Sequence, residues 1–253
     1  MPQFLLELGD VTEDKFVLRG PEAFHITRVL RNKAGEEIEL FDGRGRRYRG
    51  VIRSIGEDGS VSGDIIEKLE VNRRPFPVTV NLYLGLLKAS HWEWALEKGT
   101  EIGINTFTPV ITPRTVVQLR ENSTQKKKER WEKIVQAAAK QSRRDDLPII
   151  NEPKHYRDAM VEASQNGLTL VGWEKHGSTT YAGLRDVIAD ARRKNKKLNV
   201  NIFIGPEGGF SDEEIELAET DGAALFSLGP NILRAETAAV TSAAIVFYEL
   251  GVL

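Results

Sequence analysis

Residues 199–214 read Asn-Val-Asn-Ile-Phe-Ile-Gly-Pro-Glu-Gly-Gly-Phe-Ser-Asp-Glu-Glu, and their order decides the fold class. Val200 to Ile204 is a short, β-rich apolar run of the kind that forms a buried strand. Gly205-Pro206-Glu207-Gly208-Gly209 is a turn whose three glycines permit positive φ and close approach to the backbone. Ser211 with Glu214 has the spacing of a capping box that opens a helix. Strand, glycine loop and helix N-terminus in succession mark the place where open α/β sheets bind ligands. No Gly-Lys-Ser/Thr follows, so the loop is not a P-loop, and it is not GxGxxG. The structural alternative is a tight strand-to-helix connection.

A second stretch of the same design follows. Ala223 to Leu228 is an apolar run that ends in Gly229-Pro230, and a small-residue helix is expected from Ala235 to Leu250. Between them lies Arg234, the only Lys or Arg from Leu198 to Leu253, where nine Asp or Glu are found. A single cation at a strand-to-helix junction, two residues from Glu236, suits a chemical task. The alternative is a salt bridge to Glu236 or Glu207.

Gly205-Pro-Glu-Gly-Gly-Phe-Ser211, with Glu214, followed by Leu228-Gly-Pro-Asn-Ile-Leu-Arg-Ala-Glu-Thr-Ala238, resembles the paired signature of the RsmE family. These are bacterial methyltransferases of the SPOUT class that modify N3 of a uridine in 16S ribosomal RNA. The resemblance implies an α/β domain with a mostly parallel sheet and a C-terminal trefoil knot, here about residues 168–253, preceded by a PUA-like β-barrel. It implies S-adenosylmethionine as cofactor and no metal. Three loops would form the cofactor pocket: Leu170, Gly172 and Trp173 in the first; Ile204, Gly205, Pro206, Glu207, Gly208 and Gly209 in the second; Leu228, Gly229, Asn231, Ile232 and Leu233 in the third, with Thr237 beyond it. Trp173 is either a stacking platform or core. Two positions depart from the family pattern: Asn231 stands where relatives commonly carry Arg, which removes an RNA-facing cation, and Lys140 stands where an acidic residue is frequent.

The chemistry explains why such a site needs Arg234. Uridine N3 carries a proton at neutral pH and is then a poor nucleophile. That proton must leave, and the anion spread over O2, N3 and O4 must be stabilised by a group aimed at the developing charge. The planar guanidinium of Arg234 suits a planar anion. Glu236 and Glu207 are both candidates for the general base, and either is also a candidate to orient Arg234.

Composition agrees. The 253 residues are 40% hydrophobic and 28% charged, as in a globular protein of one large or two modest domains. There is no cysteine, and the four histidines show no metal-ligand spacing. With no signal peptide or apolar span, a cytoplasmic location without membrane association is expected. The net charge of −2 hides a polarised distribution: eight basic residues from Arg28 to Arg53, eight against two acidic from Lys126 to Arg144, and one against nine from Leu198 onward. Basic regions of this kind suggest RNA contact, with Arg28, Arg31, Arg44, Arg46 and Arg47 as candidates.

Along the chain, residues 1–72 read as a small β-barrel of OB or PUA kind. Strands are expected at Gln3–Glu7, Glu36–Phe41, Arg47–Ile55 and Ser60–Val71, with hairpin turns at Asp42–Gly45 and Gly56–Gly59, and a helix over Pro21–Asn32. A boundary falls at Asn72–Pro77, so that 73–253 forms the methyltransferase domain. There, strands at Val78–Leu86, Thr106–Ile111, Leu147–Ile150 and Leu168–Gly172 alternate with helices at Ser90–Ile102 (capping box Ser90/Glu93), Thr124–Ser142, His155–Gln165 and Tyr181–Lys196. That alternation implies a mostly parallel sheet covered on both faces. The last helix, with Ala238, Ala239, Val240, Ala243, Ala244, Ile245 and Phe247, is too apolar for one with a free face. SPOUT relatives pair through this region, so a homodimer is expected, in which one subunit's basic module serves the other's pocket. A nucleotide-binding oxidoreductase lacks its motif here. A non-catalytic RNA-binding protein of the same fold would be expected to have lost Arg234 or the glycines.

Overall fold

The computed structural model describes residues 2–7, 9–12, 14–70, 77–117, 121–174 and 184–253, without the side chains of 121–124. Contacts divide the chain into two units, Met1–Arg73 with Ala139–Leu147, and Arg74–Ala138 with Pro148–Leu253. Most of the expected boundary, residues 72–76, lies outside the described residues, as does the start of the helix expected at Tyr181.

In the first unit, strands β1 (Gln3–Leu5), β2 (Val11–Thr12) and β3 (Lys15–Leu18) precede α1 (Gly20–Phe24), and β4 (Glu37–Phe41), β5 (Arg47–Ile55) and β6 (Val61–Leu69) follow it. They form a curled sheet in the order β1-β4-β5-β6-β3-β2, antiparallel except for β1 on β4. Both hairpins form as expected. Asp42 shapes the first, its Oδ1 accepting from the backbone N–H groups of Arg44 at 2.8 Å and Arg46 at 3.0 Å. Phe4, Phe16, Ile38, Leu40, Ile52 and Val61 fill the core. The expected helix over Pro21–Asn32 is instead α1 continued by a π-helical turn, His25–Leu30, which stops at Arg31 in the left-handed region (φ 59°). The strands β2 and β3, of two and four residues, are too short to announce themselves. The 139–147 segment is held by Lys140 on Glu22 at 2.5 Å, and by the Leu147 N–H on the Gly43 carbonyl at 2.9 Å. Lys140, the departure from the family pattern, thus has an acidic partner.

The second unit alternates as expected: β7 (Val78–Gly85), α2 (Ala89–Ile102), β8 (Thr106–Ile111), α3 (Glu121–Gln141), β9 (Ile149–Ile150), β10 (Lys154–His155), α4 (Tyr156–Gln165), β11 (Leu168–Gly172), α5 (Leu184–Lys194), β12 (Leu198–Ile204), α6 (Asp212–Thr220), β13 (Ala224–Phe226) and α7 (Ala235–Glu249). The strands order as β10-β8-β7-β12-β11-β13, with β9 also on β8, and every pairing is parallel. Side chains alternate between faces. Val80, Leu82, Leu84, Val200, Ile202 and Ile204 pack with Trp92, Val135, Ile188, Val246 and Phe247 on one side. Tyr83, Val171 and Phe203 pack with Tyr156, Met160 and Ile215 on the other, and Tyr83 stacks on Phe203 with ring centroids 4.4 Å apart.

A polar row crosses this apolar sheet. Thr106, Asn81, Asn201 and Thr169 are register partners on four adjacent strands. Asn81 accepts from the Thr106 hydroxyl at 2.9 Å and donates to Asn201 at 2.9 Å. Asn201 donates to the Ala163 carbonyl at 2.9 Å. The buried amides are therefore satisfied, as burial demands.

The capping box expected at Ser90 and Glu93 is absent. The N-cap of α2 is Lys88, without a side-chain cap, and Glu93 binds Arg130 on α3 at 2.7 Å instead. An interhelical ion pair took the carboxylate that the spacing assigned to the cap.

Candidate active site

The parallel register brings the carboxyl ends of β11, β12 and β13 side by side, with Gly172 opposite Phe226 and Val171 opposite Phe203. After β12 the chain turns sharply: the Gly209 N–H donates to the Pro206 carbonyl at 2.9 Å, and Gly209 holds φ at 66°, which favours glycine. The expected capping box then opens α6. Ser211 Oγ accepts from the Glu214 N–H at 3.2 Å, and Glu214 Oε2 accepts from the Ser211 N–H at 2.8 Å. Burial pushes the Glu214 carboxyl upward.

Two residues with no signal near the motif shape this loop. Gly85 ends β7 directly beneath it, where a β-carbon would lie 2.3 Å from the Pro206 nitrogen. Arg114, after β8, donates from Nη1 to the carbonyls of Gly208 at 3.1 Å and Phe210 at 3.0 Å. Arg114→Ala frees both carbonyls. If this loop carries the cofactor, calorimetry is expected to read about five- to tenfold weaker binding, roughly the net worth of one ordinary hydrogen bond. An unchanged Kd would make Arg114 a bystander.

The three loops enclose a cavity of about 490 Å³. Of the sequence candidates, Gly172, Trp173, Ile204, Gly205, Pro206, Glu207, Gly209, Leu228, Gly229, Asn231, Ile232, Leu233, Arg234 and Glu236 line it. Leu170 is wholly buried in the core. Leu170, Gly208 and Thr237 are not among its lining residues. Trp173 combines both readings, since it lines the cavity and also packs against the Tyr83–Phe203 cluster. His91, Arg114, Glu174, Phe210, Asp212 and Phe226 also line it.

The charges do not pair as a salt-bridge reading of Arg234 requires. Arg234 is exposed at the N-cap of α7 and has no ion pair among the described residues. Glu207 is exposed, and its Oε1 accepts from the Lys88 N–H at 3.3 Å. Glu236 is 8% exposed, its Oε1 lies 3.7 Å from His91 Nδ1, and its buried Oε2 has no hydrogen-bond partner among the described residues. Among the described residues no helix is long and apolar enough to cross a membrane, and no group of three or more His, Asp or Glu is placed to hold a metal.

In the first unit, Arg28, Arg31, Arg44 and Arg46 are exposed. Arg47 is not free. It is half-buried between Glu39 at 2.9 Å and Asp145 at 3.0 Å, the latter an ion pair without hydrogen-bond geometry. Cross-strand and cross-segment carboxylates claim the cation that the basic run offered to RNA.

The family model described as an RNA methyltransferase domain matches residues 74–247, and one described as an RNA methyltransferase PUA domain matches 18–65. The ribosomal RNA small subunit methyltransferase E of Bacillus subtilis is 32% identical over 239 residues, covering 94% of this chain and 91% of its own. The chain belongs to the ribosomal RNA small subunit methyltransferase E family. A methyltransferase E from Neisseria gonorrhoeae, solved bound to S-adenosyl methionine, is 26% identical with a TM-score of 0.81, over 98% of this chain and 97% of its own. A Legionella pneumophila protein, solved with the bound cofactor SAM, is 29% identical with a TM-score of 0.81, over 97% and 96%. The similarity to these solved proteins runs through both units.

Proposed function

We propose that this chain transfers a methyl group from S-adenosylmethionine to N3 of a uridine in 16S ribosomal RNA. The observation that carries this reading is the cavity at the ends of β11, β12 and β13, whose wall holds Arg234, without an ion pair among the described residues, and a buried Glu236 whose Oε2 has no hydrogen-bond partner among them. Its volume falls in the range of small-ligand sites, roughly 300–1,000 Å³. Ile204, Phe226, Leu228 and Leu233 offer an apolar wall, and the turns around Gly172, Gly205–Gly209 and Gly229 offer backbone groups with little side chain in the way. These residues fit the adenosine and methionine parts of the cofactor, which supplies the methyl group when bound. Glu236 takes the N3 proton, and Arg234 neutralises the charge that then spreads over the uracil oxygens. Glu207, engaged by Lys88, is the weaker candidate for the base. Incubation with labelled cofactor and unmodified small subunits, followed by mapping of the methylated base, tests the reading. Label at any atom other than uridine N3 would refute it.

Residues 1–72 serve as the RNA-binding module and 73–253 as the catalytic domain. Exposed Arg28, Arg31, Arg44 and Arg46 are the module's proposed partners for phosphate. Arg28→Glu with Arg46→Glu is expected to weaken RNA binding and to lower the slope of log K against log salt by about one for each phosphate no longer neutralised. Cofactor affinity should stay the same. RNA binding equal to wild type would reduce these arginines to a solvated face.

The reading extends to a C-terminal trefoil knot, a homodimer and action in the cytoplasm, where ribosomal RNA is processed. Supporting the knot, β13 pairs outside β11, yet α7 packs on β7 and β12. As for the dimer, α7 buries Ala239, Ala243, Val246 and Phe247 within the chain. Its other side, with Val240, Ala244, Ile245 and Tyr248, is half-exposed or exposed. Sedimentation at micromolar concentration is expected to show twice the 28.3 kDa chain mass. A single 28.3 kDa species would refute the dimer.

A further inference from the structure

Two buried polar atoms on the cavity wall have no hydrogen-bond partner among the described residues: Glu236 Oε2 and His91 Nδ1. They sit on the first turns of α7 and α2, two helices packed on each other. The His91 nitrogen lies 3.7 Å from Glu236 Oε1, within ion-pair reach but longer than a hydrogen bond. An unpartnered oxygen on a carboxylate buried to this degree is costly and calls for a reason. Arg114 is committed to the Gly208 and Phe210 carbonyls and the Lys88 N–H to Glu207, while Arg234 stays exposed and makes no ion pair with Glu236.

Building on the proposed role of Glu236, we infer that His91 is a positioning residue for the methyl transfer. Its Nδ1–H closes onto Glu236 Oε1, and the carboxylate turns with it so that Oε2, buried in the free protein, meets the cavity as the acceptor for the uracil N3 proton. Catalytic hydrogen bonds that are long in a free enzyme commonly tighten in the substrate complex. The step balances. The N3–H bond breaks, its proton bonds to Oε2, and its electron pair stays on N3. With that pair N3 bonds the methyl carbon, as the carbon–sulfur pair is left on sulfur. Glu236 returns its proton to water when the product departs. The other charged groups on this wall are Arg234, Glu207, Arg114, Glu174 and Asp212. On the far side of α2, Glu93 is paired with Arg130.

The test uses the full-length enzyme, unmodified small subunits and S-adenosylmethionine. His91→Ala is expected to keep its melting temperature and cofactor Kd, and to lose single-turnover rate about tenfold at neutral pH, part of the worth of a positioned base. The deficit should shrink toward alkaline pH, where hydroxide removes the N3 proton without help. His91→Asn, whose amide nitrogen sits near the Nδ1 position, should recover most of the rate, and His91→Gln should not. A second readout needs neither cofactor nor RNA. The chain has four histidines, so their imidazole NMR signals can be assigned by single substitutions. Glu236→Gln should displace the His91 signal and leave that of His155, in the same unit, in place. An active wild type with a His91→Ala variant that matches it at every pH overturns the inference alone. So does a rate loss equal at every pH, a fall in melting temperature, or an unmoved His91 signal. A wild type that methylates no uridine overturns the proposed function and this inference with it.

Discussion

Arg234→Ala is expected to lower single-turnover methylation of small subunits by about a hundredfold or more, the usual cost of removing a donor aimed at developing negative charge. Cofactor affinity and melting temperature should hold. The geometry favours this over a structural role. A structural arginine here would lean on Glu236 or Glu207, and its loss would strand a buried carboxylate at a cost of several kcal/mol. Neither carboxylate pairs with Arg234, which stands exposed at the mouth of the cavity. Arg234→Lys should recover little, because an ammonium is a point charge and cannot span two oxygens of a planar ring. Melting curves and single-turnover rates on the same variant decide the matter. A large fall in stability with near-normal turnover per folded molecule would end the catalytic assignment.

Gly85→Ala is expected to weaken cofactor binding at least tenfold and methylation roughly a hundredfold, since a displacement of about 1 Å in a positioning loop is enough for that. The added carbon would lie 2.3 Å from the Pro206 nitrogen, 2.5 Å from its Cδ and 2.8 Å from the Gly205 carbonyl carbon. Two of these three atoms are backbone, so the glycine loop itself must move rather than a flexible side chain. Overpacking of this kind costs about 1–3 kcal/mol, so the melting temperature should fall as well. Titration of the variant with S-adenosylmethionine checks the claim. A Kd within twofold of wild type would mean that the loop's position does not govern binding.

Neither Gly85, His91 nor Arg114 was legible in the sequence, although each helps to build the site. Their partners lie some 90 to 145 residues further along the chain, and only the parallel pairing of β7 with β12 and the packing of α2 on α7 bring them together. What was legible is local. The capping box of Ser211 and Glu214, the strand before it and the glycine turn between them are each specified within a few residues, and they form as expected. The same kind of local reading failed at Ser90 and Glu93, where the carboxylate had a better partner on another helix. At Arg47, a cation in a basic run, the structure adds partners that the run did not announce, Glu39 and Asp145. Charge and capping patterns name the groups available for a bond, and tertiary competition decides which bond forms.

The row of Thr106, Asn81, Asn201 and Thr169 has a further bearing on how the sheet assembles. Strands made of Val, Leu, Ile and Phe are nearly interchangeable to one another, and a slip of two residues would keep every apolar side chain on its proper face. The amides make such a slip detectable. In a shifted alignment Asn81 would forfeit the Asn201 and Thr106 groups it now bonds, at about 1–3 kcal/mol for each buried group left unmet. The row therefore works as an address label across the sheet. It acts most strongly on β12, which enters between two strands that precede it in the chain and has the most wrong berths open to it. Because the loop after β12 is the one that Gly85 and Arg114 shape, proofreading of that berth also fixes the height at which the glycine turn meets its neighbours.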